Sequence, residues 1–201
     1  MKTIKQFLAT DQQSWSLLIS RLAVGVVILP HGMQKALGLF GGYGFSGTIG
    51  AFQSMGMPYL IGVLVILAEF VGAIGIILGL GTRFMAFSVG LTMAGAAFLG
   101  GHINNGFFMN WFGQQKGEGI EYFILVVGLA IALLIGGSGK FSFDNLILKK
   151  ISWESSEDYK KKTDMQICVS VFSVFELRNY SATTSKATST FTSLCSFKVA
   201  L

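Results

Sequence analysis

The chain has 201 residues, of which 52% are hydrophobic and only 12% charged, against about 25% charged in an ordinary soluble domain. That balance excludes a water-soluble globule and points to a small polytopic membrane protein. The net charge of +5 does not indicate nucleic-acid binding, because the lysines flank apolar runs, as the cytoplasmic flanks of membrane helices do.

Residues 1–14 form a polar leader with Lys2 and Lys5, readable as the start of an interfacial helix. The first apolar run, residues 17–29, contains Arg21 and has no small-x-small cleavage site, so it reads as a retained helix rather than a cleavable signal. The predicted first membrane helix covers residues 15–37, with Trp15 as an interfacial anchor and Arg21, Pro30, His31, Gly32 and Lys35 along it. Pro30 removes a backbone donor and is expected to kink the helix. Residues 38–58 are glycine-rich, aromatic and nearly uncharged, which predicts a short amphipathic segment in the membrane interface.

Residues 59–80 are apolar or glycine at every position except Glu69. A helix of that length rises about 33 Å, enough to cross a hydrocarbon layer of about 30 Å, and places Glu69 near the midplane. An ionised side chain there costs at least about 2.5–3.5 kcal/mol. Glu69 is therefore expected to be protonated, paired with a cation, or facing a wet cavity. The tight turn 79–83 leads into a third helix over residues 84–99, with Thr82 as the expected N-cap. Small residues on both helices predict a close antiparallel hairpin. The connection 100–119 carries His102, and a fourth helix runs from about residue 120 to 135, with Glu121 at its start.

Glycine, proline and histidine all disappear after residue 139. This composition change predicts a membrane domain over residues 1–150 and a polar, disordered cytoplasmic tail over 151–201. The tail contains a strand-like alternation, VSVFSVF, that has nothing obvious to pair with. Cys168 and Cys195 both lie in the tail and no CxxC occurs, so thiol–disulfide chemistry within the bilayer is excluded. The expected fold class is all-α, a four-helix transmembrane bundle. The distribution of Lys2, Lys5, Arg83, Lys140, Lys149 and Lys150 predicts both termini in the cytoplasm.

Six ionisable groups are candidates for one shared intramembrane cavity: Arg21, His31, Lys35, Glu69, His102 and Glu121. Glu69 is the candidate proton relay and the other five are candidate ligand-binding groups, with an Arg21–Glu69 pair as the expected contact. Each has a structural alternative. An Arg–Glu pair locks helices together, His31 and Lys35 snorkel to the interface, His102 is a solvated loop residue, and Glu121 complements its helix dipole. The spacing offers no HxxxH or ExxH pattern, so no metal is expected, and no glycine-rich nucleotide loop occurs.

The segment RLAVGVVILPHGMQKALGLFGG from Arg21, with AEFVGAIGIILGLGTR around Glu69, resembles the paired signature blocks of the DoxX family of small four-helix membrane proteins. The matching positions are Arg21, His31, Gly32, Lys35, Glu69, Gly72, Gly79 and Arg83. The resemblance covers residues 15–148 and stops before the tail. It implies an inner-membrane protein, some of whose relatives serve quinone-dependent oxidation or oxidative-stress complexes. The leading functional expectation is a subunit of a quinone-linked redox complex. It would bind a quinone or similar aromatic ligand and work with partner subunits or as a homo-oligomer, since the chain carries no evident redox centre. The alternatives are a proton-coupled small-molecule carrier and a non-catalytic membrane scaffold.

Overall fold

The computed structural model describes residue 11 and residues 13–178. The expectations for the leader through residue 10 and for the Ser/Thr-rich stretch beyond Tyr180 lie outside the described residues. Every regular element among the described residues is helical: α1 Trp15–Leu37, α2 Gly44–Ser54, α3 Tyr59–Leu78, α4 Thr82–Leu99, α5 Glu121–Gly136 and α6 Phe143–Arg178, with short 3-10 turns at Leu39–Gly41 and His102–Asn105. Contacts divide the chain into two units, Met1–Leu148 and Lys149–Leu201.

Three helices, α1, α3 and α4, are long and apolar enough to cross a membrane, and α5 is a shorter apolar helix of 16 residues. At 1.5 Å per residue α5 rises about 24 Å, short of the hydrocarbon thickness. Helix α1 packs on α3 and α5, and α4 packs on α3 and α5. Close contacts fix the directions. Gly25 of α1 faces Ala73 and Ile77 while Gly32 faces Glu69 and Phe70, and Gly90 of α4 faces Ala130 while Arg83 reaches Leu134. Neighbouring helices are therefore antiparallel around the ring.

The sequence of α3 explains its orientation. Gly62, Ile66, Glu69, Ala73 and Ile76 recur at three-to-four spacing and are buried, while Leu60, Leu64, Leu67, Val71, Ile74 and Leu78 form an opposite exposed stripe. Both stripes are apolar apart from Glu69. A helix whose outer face is as apolar as its inner one is solvated by lipid, not water. Helix α1 repeats the pattern with buried Arg21, Val24, Gly25, Ile28 and Gly32. The shared core is Val24, Ile28, Ala73, Ile76, Ala86, Val89, Met93, Val126 and Leu133.

The structure bears on three local expectations and overturns two of them. Helix α1 runs unbroken through Pro30, which sits on its exposed side, so the kink expected there does not end the helix. Thr82 is the first residue of α4 rather than its cap; the backbone N–H groups of Gly81 and Thr82 donate to the Asp144 carboxylate at 2.7 and 3.0 Å. The tail expected to be disordered from residue 151 is helical as far as Arg178, its strand-like alternation included. That stretch has no glycine or proline to break a helix, and its Lys160, Lys161, Lys162, Glu154, Glu157 and Glu176 are good helix formers, so local propensity overrides the short alternation.

Candidate functional site

Helix register decides which charges meet. Gly32 lies flat on α3: an added Cβ would come 2.6 Å from the Phe70 Cα and 2.7 Å from the Glu69 backbone. Glu69 is thus level with Gly32, and Lys35 follows less than one turn later. The Lys35 ammonium donates to Glu69 Oε2 in an ion pair. The Glu69 side chain is 2% exposed while that of Lys35 is 28% exposed, so the pair is closed on the carboxylate side and open on the ammonium side. From above, α2 lies against the pair's end of the bundle, with the buried Thr48 hydroxyl donating to the Lys35 carbonyl at 3.4 Å.

Arg21 does not meet Glu69. It lies eleven residues before Gly32, about 16 Å lower along the axis, beyond the reach of its side chain. The Arg21 guanidinium is instead buried at the opposite end of the bundle. It donates to the Ile77 carbonyl at 3.3 Å, to the Lys140 carbonyl at 2.9 Å and to the Phe141 carbonyl. These acceptors close the C-terminal end of α3 and the connection after α5, where carbonyls have no helical donor. Phe141 holds a left-handed φ of 51°, a strained conformation for a bulky residue. Around it Asp144 caps α4, Ser138 and Ser142 share a 2.7 Å hydrogen bond, and the Asn145 amide donates to the Gly139 carbonyl at 2.7 Å. Gly79 completes this clasp; its φ is 67°, and a Cβ there would lie 2.1 Å from Arg21 Nη1.

The remaining candidates lie at the Lys35–Glu69 end. The His31 ring lies 6.2 Å from the Tyr122 ring, Tyr122 lies 5.4 Å from Phe123, and Phe123 lies 4.5 Å from His102. A continuous row of rings thus joins the two histidines across α1 and α5. The Tyr122 hydroxyl is buried without a hydrogen-bond partner. His102 Nδ1 lies 2.9 Å from the Glu118 carbonyl, and Glu121 accepts from the Met109 N–H at 3.3 Å. His102 and Glu121 therefore organise the loop 100–119 instead of pointing at the ion pair. Two elements of the arrangement escaped sequence reasoning. Tyr122 carries no signal beyond following Glu121. Asp144 has one, a serine-phenylalanine-aspartate run after a glycine-rich break, the composition of a helix start.

Chemically, the pair offers a partly exposed ammonium backed by a buried counter-charge, at the same end of the bundle as an aromatic row and an unpaired phenol. An arrangement of this kind has the chemistry to hold an anionic or carbonyl oxygen and to exchange a proton with it.

A protein-family model described as DoxX matches residues 16–102. The chain is 29% identical over 149 residues to "Inner membrane protein YphA" of Escherichia coli, covering 72% of this chain and 99% of that protein. It is 30% identical over 139 residues to "Inner membrane protein YqjF" of the same organism, covering 66% and 92%. A Bacillus subtilis protein named "Putative oxidoreductase CatD" is 30% identical over 79 residues, 39% of this chain and 54% of that protein. No solved structure matches the chain.

Proposed function

Because the chain belongs to the DoxX family of membrane proteins, we propose that it is an integral inner-membrane subunit of a quinone-linked redox system. In this reading it seats a quinone-like or small aromatic ligand against the Lys35–Glu69 pair. The observation that carries the reading is the asymmetry of that pair, a carboxylate 2% exposed holding an ammonium 28% exposed. Burying an ion pair among apolar helices costs free energy that apolar side chains would not, and intramembrane charge is the usual mark of a functional position. The ammonium receives the ligand's oxygen, the row His31–Tyr122–Phe123 flanks its ring, and Glu69 takes or returns one of the two protons that accompany two-electron quinone reduction, the other coming from water. Electrons come from a partner subunit or pass between bound ligands. The name carried by the Bacillus relative supports an oxidoreductase association.

Helix α5 acts as a fourth span in this reading, helped by its packing in the ring. Arg83, Lys140, Lys149 and Lys150 then mark the cytoplasmic side. The test is titration of purified protein with menadione, read by tryptophan quenching. Saturable binding that weakens at least tenfold in Glu69→Gln and Lys35→Met supports the proposal. Absence of saturable binding by the natural chain, or identical affinity in all three proteins, overturns it.

A further inference from the structure

We infer that the connection between α4 and α5 is a preformed, membrane-embedded aromatic platform whose partner is the lipid headgroup layer. Three observations converge on it. First, residues 103–115 contain no charged residue, yet Ile103, Phe107, Phe108, Trp111 and Phe112 are 43%, 52%, 66%, 79% and 89% exposed. A water-facing loop of that composition would leave a contiguous apolar patch unsolvated. Second, the loop is held rigidly from its inner side. Asn110 receives the Gln115 N–H on its Oδ1 at 3.0 Å and donates its amide to the Gln115 carbonyl at 3.1 Å, and its backbone N–H donates to Glu118 Oε2 at 2.7 Å. The Ile120 and Glu121 N–H groups donate to the Gly106 and Phe107 carbonyls at 3.1 and 2.9 Å. The polar groups thus satisfy one another and the rings are left pointing outward, already ordered. Third, the platform continues a surface that lipid already covers, since α4 ends at Phe98 and Leu99, which are 71% and 78% exposed.

Phe, Trp and amide side chains without net charge are the composition of the membrane–water interface, where an amphipathic ring places its apolar body in the acyl boundary and its N–H among headgroups. Lipid is favoured over a protein partner by the absence of charge for specificity and by that continuity. The platform sits at the same end of the bundle as the Lys35–Glu69 pair, and His102 and Glu121 serve it as positioning residues.

The experiment uses the full chain reconstituted in phosphatidylcholine–phosphatidylglycerol vesicles, with the Trp111 spectrum taken as the difference between the natural chain and Trp111→Phe. A blue-shifted Trp111 emission that loses roughly half its intensity in shallow-brominated lipid, with little response to aqueous iodide, is the expected result. Emission at the position of tryptophan in water, quenched by iodide and indifferent to brominated lipid, overturns the inference. Protection from both quenchers also overturns it, since a protein partner would then cover the loop.

Discussion

Removing Lys35 tests the central contact. In Lys35→Met the long apolar stem is kept, but the Glu69 carboxylate, on a side chain 2% exposed, loses its cation. Unit charges 4 Å apart interact by about 4 kcal/mol at an effective dielectric of 20, and breaking one side of a buried pair costs about 3–5 kcal/mol. Because Lys35 keeps 28% of its side chain exposed, the loss belongs at the lower end, about 3 kcal/mol. The companion Lys35→Met/Glu69→Leu removes both charges and should recover most of that loss, because similar-volume apolar pairs replace buried ion pairs at little cost. The assay is reversible unfolding in mixed micelles with increasing denaturing detergent, run on both single variants and the double as a cycle. A coupling free energy below about 0.5 kcal/mol, the range of an exposed surface pair, would refute the view that these two charges depend on each other.

Gly32→Ala should cost about 1–3 kcal/mol and weaken α1–α3 packing, since its Cβ meets α3 backbone at 2.6 Å and cannot be accommodated by a rotamer change; the same unfolding assay reads it. Asp144→Ala removes the cap from the Gly81 and Thr82 N–H groups and should destabilise by about 1–2 kcal/mol, with Asp144→Asn losing less because its amide oxygen can still accept one of the two bonds. Tyr122→Phe should leave stability within about 0.5 kcal/mol of the natural chain, because its hydroxyl has no protein partner to lose. A larger drop would mean that the hydroxyl is bonded in the bilayer. Arg21→Met should leave the Ile77, Lys140 and Phe141 carbonyls without their donor, lowering stability by more than about 2 kcal/mol while leaving menadione affinity unchanged in the protein that folds.

The sequence by itself determined the class of molecule and its main helices. Long apolar runs interrupted by Glu69 and Arg21 can be solvated only by lipid and by each other, and the observed α1, α3 and α4 lie close to where those runs predict them. Small residues on α3 such as Gly72 and Gly75 already marked the face that meets α4, at Val89 and Met85. The pairing of charges was not legible in the same way. Arg21, Lys35 and Glu69 all lie on inward faces, so angular position admits either cation as the partner of Glu69. Only the axial offset between α1 and α3, set by Gly32 seating on the Glu69 backbone, selects Lys35 and sends Arg21 to the carbonyls at the far end. Likewise Asp144 reaches the start of α4 from 62 residues away, a relation that no local pattern encodes. Periodicity along one helix tells which side chains face inward; the height at which two helices meet is fixed by packing, and that height assigned the partners.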